Sequence, residues 1–380
     1  MESYVDTLPT AAEIDLNAIA FNLRQLQTRV SPAKIMAVVK SNAYGHGLKP
    51  IAEMALAQGV EYFGVARLEE GVALRKDAGA TPILVFGGFF KDQVARFLKH
   101  DLELTLFDEQ RARILATGAK RNGNRARAHI KVDTGMERVG ISWQHAADFV
   151  CFVKDLDWVD VVGVYTHFAT SDEKDKTFAR TQLERFERVL LDLHKQNVKI
   201  PLAHAANSGA ILDIPGSYFD MVRPGVSLYG YYPSLETSRS VRLQPAMTLK
   251  SRVMAVKEVA PGSTVSYGQT YRASRKTRIA TVAIGYGDGY NRLLSNLGEV
   301  LIHGRRFPVV GRVCMDHIMV DITDEENVDV GDEVVVLGTQ GGQEISIYEL
   351  CEKLQTIPYE VTCRISERVP RVYKHDLILS

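Results

Sequence analysis

The amino-acid sequence predicts an α/β plus β protein: a (β/α)8 barrel of the TIM type over residues 12–242, then a mostly β domain over 243–380. Three observations carry this. Eight apolar strand candidates alternate with helical patterns over roughly 200 residues, too many units for a small doubly wound sheet. Beyond Tyr231-Tyr232-Pro233 and a polar stretch to Arg242 the helical pattern fades into short β-rich runs. The unusual polar residues stand directly after the strand candidates, where a barrel places its chemistry.

In chain order, a helix-like segment runs from Leu16 to Thr28, and Ile35 to Val39 is the first strand candidate. Its five apolar residues suit a parallel strand covered on both faces. Tyr62 to Ala66, Ile83 to Phe86, Leu102 to Leu106, His129 to Val132, Val159 to Tyr165, Ile200 to Ala203 and Tyr218 to Val222 complete the eight. Amphipathic stretches such as Phe178 to Lys195 lie between several of them. In the second domain, Val253 to Val259, Arg278 to Ile284, Glu299 to Ile302, Arg306 to Val310, His317 to Ile322 and Glu333 to Leu337 are separated by Pro-Gly, Gly-Asp-Gly, His-Gly and Val-Gly-Asp turns.

Composition narrows the partners. Lys plus Arg equals Asp plus Glu at 46 each, so no global field attracts nucleic acid or anionic lipid, and a small molecule is the expected ligand. Cysteines 151, 314, 351 and 363 form no Cys-x-x-Cys pair and no cluster with histidine, which argues against zinc and a disulfide framework. No metal is expected. Neither a signal-like N-terminus nor a membrane-length apolar run is present, so the expected location is cytoplasmic.

Five strand ends supply polar groups: Lys40 after the first; Lys131, Asp133 and Arg138 after the fifth; His167 after the sixth; His204, Asn207 and Ser208 after the seventh; Arg223 and Gly225 after the eighth. Any one of them alone reads as a cap or a surface group, but together they converge on one mouth. Lys40 closes a buried strand, so its amine sits at the rim of the core, where partial desolvation suits a Schiff-base nucleophile or proton carrier. Val38-Val39-Lys40-Ser41-Asn42-Ala43-Tyr44-Gly45-His46-Gly47 resembles the cofactor-lysine segment of alanine racemases, which carry pyridoxal 5'-phosphate. The resemblance covers nearly the whole chain and implies that residues 1–11 pack on the second domain.

The loops after strands seven and eight of a barrel commonly bind phosphate, and here they are His204-Ala-Ala-Asn207-Ser208-Gly209 and Arg223-Pro224-Gly225-Val226. Ser208 and the Gly225 and Val226 amides form the expected phosphate set, with Asn207 in the same cofactor-binding loop; the resemblance adds Tyr44 and Tyr359. It also implies that Arg223 meets the ring nitrogen and that His204 holds Arg223. Arginine keeps its proton, so the nitrogen stays neutral, a weaker electron sink that favours simple Cα proton exchange over transamination. Racemisation needs acid-base groups on both faces of Cα. The resemblance makes these Lys40 and Tyr267, with His167 contacting Tyr267, although Tyr267 by itself reads as a hairpin aromatic. Lys131 and Arg138 form a cation pair that would repel if both were buried, and the matching lysine in this family is often N-carboxylated; Glu137 is taken to point away. Arg138 and the Met315 amide match substrate contacts. Asp172, Arg292, Arg312 and Ile357 match the approach path, with Tyr286 and Tyr359 at its inner gate.

The function implied is interconversion of L-alanine and D-alanine for peptidoglycan, by a homodimer with shared active sites. A racemase of broader specificity is the alternative, against which Tyr44, Tyr286 and Tyr359 suggest a small pocket. Barrel-type amino-acid decarboxylases share the fold and cofactor, but their glycine-rich phosphate loop and Cys-Asp segment are not visible in the sequence. A non-enzymatic cofactor carrier would lack the domain bearing Tyr267.

Overall fold

The computed structural model describes residues 8–375. Residues 1–7, part of the segment expected to pack on the second domain, lie outside them. The described chain forms two compact units, one spanning Ala18–Gln244 and the other joining the stretch up to Asn17 with Pro245 onward.

The first unit is a parallel barrel whose strands we number β1 (Lys34–Val38), β2 (Tyr62–Val65), β3 (Ile83–Val85), β4 (Glu103–Leu106), β5 (Ala126–Asp133), β6 (Val159–Tyr165), β7 (Ala203–His204) and β8 (Met221–Val222). Consecutive strands pair in parallel from β1 to β7, and β8 returns to β1 through Met221↔Lys34 and Val222↔Ile35. No ladder joins β7 to β8. That seam closes instead through a single parallel bridge between Asn207 and Arg223, with the Arg223 amide donating to the Ala206 carbonyl at 2.9 Å. Helices cover the outside of the sheet. Leu16–Val30 leads into the barrel, Glu109–Asn122 starts at an Asp108 side chain that accepts from the Arg111 amide, and Thr177–Lys195 buries Ala179, Gln182, Phe186, Val189 and Leu193 along one face.

Three barrel strands differ from expectation by more than one residue. β5 begins at Ala126 and ends at Asp133, so Lys131 and Asp133 lie within the strand and not after it. Alternation then puts Arg127, His129, Lys131 and Asp133 on one face. β7 is shifted toward His204, because Ile200, Pro201 and Leu202 form the approach and Ala203 is the first residue in the ladder. β8 keeps only Met221–Val222; Pro215–Ser217 form a 3-10 turn ahead of it.

In the second unit, Thr10–Asp15 pairs antiparallel with the 13-residue strand Met247–Val259 and parallel with Arg371–Lys374. Met247–Val259 also pairs with Thr277–Val282 and Glu333–Gln340, and two short helices, Ile347–Leu354 and Pro358–Cys363, complete the unit. Among the described residues no disulfide joins the four cysteines. Among the described residues no helix is long and apolar enough to cross a membrane.

Candidate active site

Immediately after Lys40 the chain turns the wrong way for L-residues. Ser41, Asn42 and Ala43 have φ 53–54° and ψ 48–52°, and Tyr44 has φ 53°. Left-handed helical conformation costs roughly 1–2 kcal/mol per residue, so a run of four needs external support. It has it. The Ser41 amide donates to Glu70 Oε1 at 2.6 Å, while Glu70 Oε2 accepts from the amides of Ala66 and Arg67. Asn42 Oδ1 accepts from the Leu48 amide at 2.8 Å, at the first turn of the helix Leu48–Ala57. The buried His46 ring has Nδ1 within 3.1 Å of the Ala43 carbonyl and 3.0 Å of the Tyr44 carbonyl, which requires the proton on Nδ1, and it stacks on Tyr229 at 4.5 Å. The Tyr229 hydroxyl in turn donates to the Val38 carbonyl at 3.0 Å, tying the turn to the end of β1.

This turn brings Tyr44 over the loops that follow β7 and β8. A Cβ added at Gly225 would stand 2.5 Å from the Tyr44 hydroxyl oxygen, so only glycine leaves room there. Around the same point the Gly225 amide donates to Ser208 Oγ at 2.9 Å, the Ser227 amide reaches it at 3.3 Å, and the Ser227 hydroxyl lies 2.9 Å away. Several buried donors thus crowd one hydroxyl oxygen, an arrangement that an oxygen-rich anion satisfies better than a single serine can. Ser227 was absent from the expected phosphate set, and in the structure its amide and hydroxyl both reach Ser208 Oγ. Asn207 sets the loop: its Oδ1 accepts from Ser171 Oγ at 2.7 Å and from the Ala210 amide at 3.1 Å.

Arg223, two residues before Gly225, is buried. Its Nη1 donates to His204 Nδ1 at 2.8 Å, and its Nη2 donates to the carbonyls of Thr166 at 2.7 Å and Ala205 at 2.9 Å, with His167 Nδ1 at 3.4 Å. Burial pushes the guanidinium down to about 10, which leaves it cationic at neutral pH. The His204 ring stacks on Tyr165 at 4.8 Å and 4°; burial, Arg223 and His129 hold this imidazole well below its usual range and so neutral. His167 is half-buried and is also held well below the usual range, first by burial and then by Arg223, Lys131, Arg138 and Lys40.

Lys131 is buried, with Nζ 3.3 Å from the Val132 carbonyl and 5.0 Å from the Tyr165 ring centroid. Burial, then Arg223, lower its pKa well below the lysine range, Asp133 opposing and Arg138 adding to the effect. Of the expected cation pair only Lys131 is buried; Arg138 is exposed and adds to the lowering of the Lys131 pKa, while Arg223 is the buried cation that acts on it more strongly. Asp133 Oδ1 fixes the following loop by accepting from the amides of Gly135, Met136 and Glu137, and Glu137 is exposed. Asp172 is half-buried on the β6 loop, its carbonyl accepting from the Ser234 hydroxyl.

The β unit gathers a second set. Tyr267 opens a 3-10 turn and is 71% exposed. Ser266 before it has φ 67°, ψ −174°, a region used almost only by glycine, and Gly268 and Gln269 also have positive φ. Such strain persists because Ser266 Oγ donates to the Arg312 carbonyl at 2.6 Å, and Arg312 packs where a Cβ on Gly268 would approach its Nε to 3.0 Å. Tyr286 and Met315 join the same group, the Tyr286 amide donating to the Cys314 carbonyl at 2.9 Å and the Gly287 amide to the Met315 carbonyl at 2.8 Å. Arg292 is exposed in its own 3-10 turn, Ile357 is exposed just ahead of the helix Pro358–Cys363, and Tyr359 lies in the first turn of that helix. Lys40, Tyr44, Lys131, His167, His204, Ser208, Arg223 and Gly225 are thus assembled in the barrel unit, and Tyr267, Tyr286, Arg312 and Met315 in the β unit.

The barrel, its polar mouth and the appended β domain define a (β/α)8-type enzyme. Comparison with known proteins makes the family plain. Residues 14–233 match the model of the alanine racemase N-terminal domain and residues 246–373 that of the alanine racemase C-terminal domain. Alanine racemase 2 of Caldanaerobacter subterraneus subsp. tengcongensis is 45% identical over 367 residues, 96% of this chain and 95% of that protein. The alanine racemase of Clostridium difficile 630 superposes with a TM-score of 0.93 at 39% identity, covering 97% of this chain and 96% of that one. The alanine racemase of Bartonella henselae, solved with covalently bound pyridoxal phosphate, gives 0.88 at 28% identity over 97% of this chain and all of its own. The chain belongs to the alanine racemase family, enzymes that interconvert L- and D-alanine.

Proposed function

We propose that this chain racemises alanine with pyridoxal 5'-phosphate held at Lys40, in the cytoplasm, as a homodimer that supplies D-alanine for peptidoglycan. The observation that carries the reading is the donor-lined cradle of Tyr44, Ser208, Gly225 and Ser227, within the same barrel unit as Lys40 and a buried arginine. Lys40 would hold the cofactor's aldehyde carbon, the cradle its phosphate with Tyr359 and the Val226 amide, and Arg223 its ring nitrogen. When bound, the cofactor supplies an electron sink that acidifies the substrate Cα–H.

The chain's own residues do the rest. Lys40 moves the proton on one face of Cα, and Tyr267 on the other. His167, kept neutral among cations, is the contact that the family resemblance assigns to Tyr267. Arg223 donates to the ring nitrogen without yielding its proton, which limits the sink and favours return of the Cα proton over side reactions. Arg138 and the Met315 amide bind the substrate carboxylate, while Asp172, Tyr286, Arg292, Arg312 and Ile357 line its approach. Lys131, whose buried amine is held well below the lysine range, is suited to N-carboxylation by carbon dioxide, and the carbamate would stand as an anion near Arg138.

The dimer reading rests on the exposed apolar side chains of the β unit, Tyr267, Tyr286, Met315 and Ile357, which are suited to cover the barrel mouth of a second copy. Borohydride reduction of the loaded protein followed by peptide mapping tests the assignment of Lys40. The pyridoxyl label is expected on Lys40; a label on Lys34, Lys49 or Lys131 refutes it.

A further inference from the structure

Beneath Arg223 a line of polar side chains crosses the barrel interior. His204 Nε2 lies 3.0 Å from His129 Nδ1, and His129 Nε2 lies 2.9 Å from Glu103 Oε2. Glu103 also accepts a short hydrogen bond from the Tyr62 hydroxyl, and its Oε1 is 3.2 Å from Arg127 Nε at the far end. Tyr62, Glu103, His129 and His204 are all buried. The barrel makes space for the line, since a Cβ on Gly163 of β6 would collide with His129 Nδ1.

The proton positions along this line follow from its two ends. Arginine has only donors, so His204 Nδ1, 2.8 Å from Arg223 Nη1, must present a lone pair. A neutral His204 then carries its proton on Nε2 and donates to His129 Nδ1. His129 in turn carries its proton on Nε2 and donates to Glu103. Protonating either imidazole a second time sets donor against donor, at Arg223 or between the two rings. Burial would raise the Glu103 pKa, but His129, Tyr62 and Arg127 outweigh it and keep the carboxylate ionised. One arrangement therefore satisfies every member.

We propose that Glu103 and His129 are positioning residues: the Glu103 carboxylate, acting through His129, fixes the His204 tautomer and so holds the Arg223 cation in place toward the barrel mouth. This rests on the reading of Arg223 as the partner of the cofactor ring nitrogen. His204, Thr166 and Ala205 hold three of the five guanidinium donors, and the line decides whether the first of these bonds exists. An acid that supplied a donor in place of an acceptor to His129 would reverse both tautomers and turn His204 Nδ1–H against Arg223. The alternative is that Glu103 serves only to pair with Arg127 at the barrel floor, where Arg127 also reaches Asp101 at 3.0 Å.

Neutron diffraction from deuterated crystals of the full-length, cofactor-loaded protein reads the line directly. Deuterium is expected on Nε2 of both His129 and His204 with both Nδ1 atoms bare; deuterium on Nδ1 of either ring overturns the proposal. Glu103→Gln is expected to lower kcat about 10²-fold with KM within about threefold, and to shift the absorbance of the bound cofactor. Arg127→Gln, at a partly exposed side chain, is expected to cost less than about tenfold with the absorbance unchanged. Equal losses in the two variants with an unmoved spectrum assign Glu103 to the floor salt bridge and overturn the proposal. If Glu103→Gln does not fold, the neutron map of the unmodified protein decides. A cofactor label away from Lys40 sinks the functional reading while leaving the histidine proton positions measurable, so the two failures are distinct.

Discussion

The two groups of site residues are built differently. In the barrel, Arg223, Lys131 and His204 are at most 4% exposed and Arg223 and His204 are locked by hydrogen bonds; in the β unit Tyr267 is 71%, Met315 52%, Ile357 53% and Tyr286 43% exposed. The barrel group is finished within its own unit: burial shifts its pKa values, and its geometry is set by strand register. In the β-unit group the strained backbone at Ser266 is held by its hydrogen bond to the Arg312 carbonyl, and the side chains are exposed. A preorganised half and an outward-facing half are what the proposed site, completed by a second copy, would require.

The largest expected effects test whether both halves serve one reaction. Lys40→Ala should lower kcat on the order of 10⁴-fold or more, and Tyr267→Phe about 10²- to 10⁴-fold. Thermal unfolding should separate them from structural damage, since the exposed Tyr267 loses only a hydroxyl and Tm should not move. A Tyr267→Phe protein racemising alanine at the normal rate would remove the β unit from the chemistry.

A smaller effect is expected at the cradle. Ser227→Ala removes a hydroxyl beside Ser208, and a lost hydrogen bond to an ionised group is worth about 1.5–3 kcal/mol, so the cofactor Kd should rise about tenfold or more by equilibrium titration. An unchanged Kd would leave Ser227 as packing.

Lys131 sharpens the contrast through stability. Its folded pKa lies below its unfolded value of about 10.4, so the unfolded chain binds the extra proton between the two. The cost to folding is therefore full at and below the folded pKa and fades as pH rises toward about 10. Lys131→Met should be more stable than the unmodified chain by about 1 kcal/mol or more at pH 7 in CO₂-free buffer, with the gap closing as pH rises. Added bicarbonate should stabilise only the lysine form if it is carboxylated. Denaturant titrations across pH, with and without bicarbonate, check both signs.

How far these groups could be read from sequence follows the same division. Parallel strands buried on both faces appear as apolar runs that stop where polar groups begin, so the barrel and the polar groups at most of its strand ends were legible. The interior line was not. Leu102-Glu103-Leu104-Thr105-Leu106 alternates like a strand with one wet face, yet Glu103 and Thr105 are both buried. The signal lay in β5, where Arg127, His129, Lys131 and Asp133 recur every second residue and share one face of a strand that a barrel covers on both sides. Ser227 was hidden two residues beyond Gly225, because loop geometry, not spacing, brings its hydroxyl back to Ser208. Only family resemblance singles out Tyr267: local pattern gives a hairpin aromatic, and the strain at Ser266 has no sequence mark.

Complementation between two inactive variants tests the central claim, that one site draws Lys40 and Tyr267 from different copies. In a mixed dimer of Lys40→Ala and Tyr267→Phe chains, one site collects both lesions and the other has neither. After random exchange about half the dimers are mixed, with one intact site in two, so activity should return to about a quarter of the unmodified protein per subunit. Heterodimers proven by mass spectrometry that show no more activity than the parental variants would contradict it.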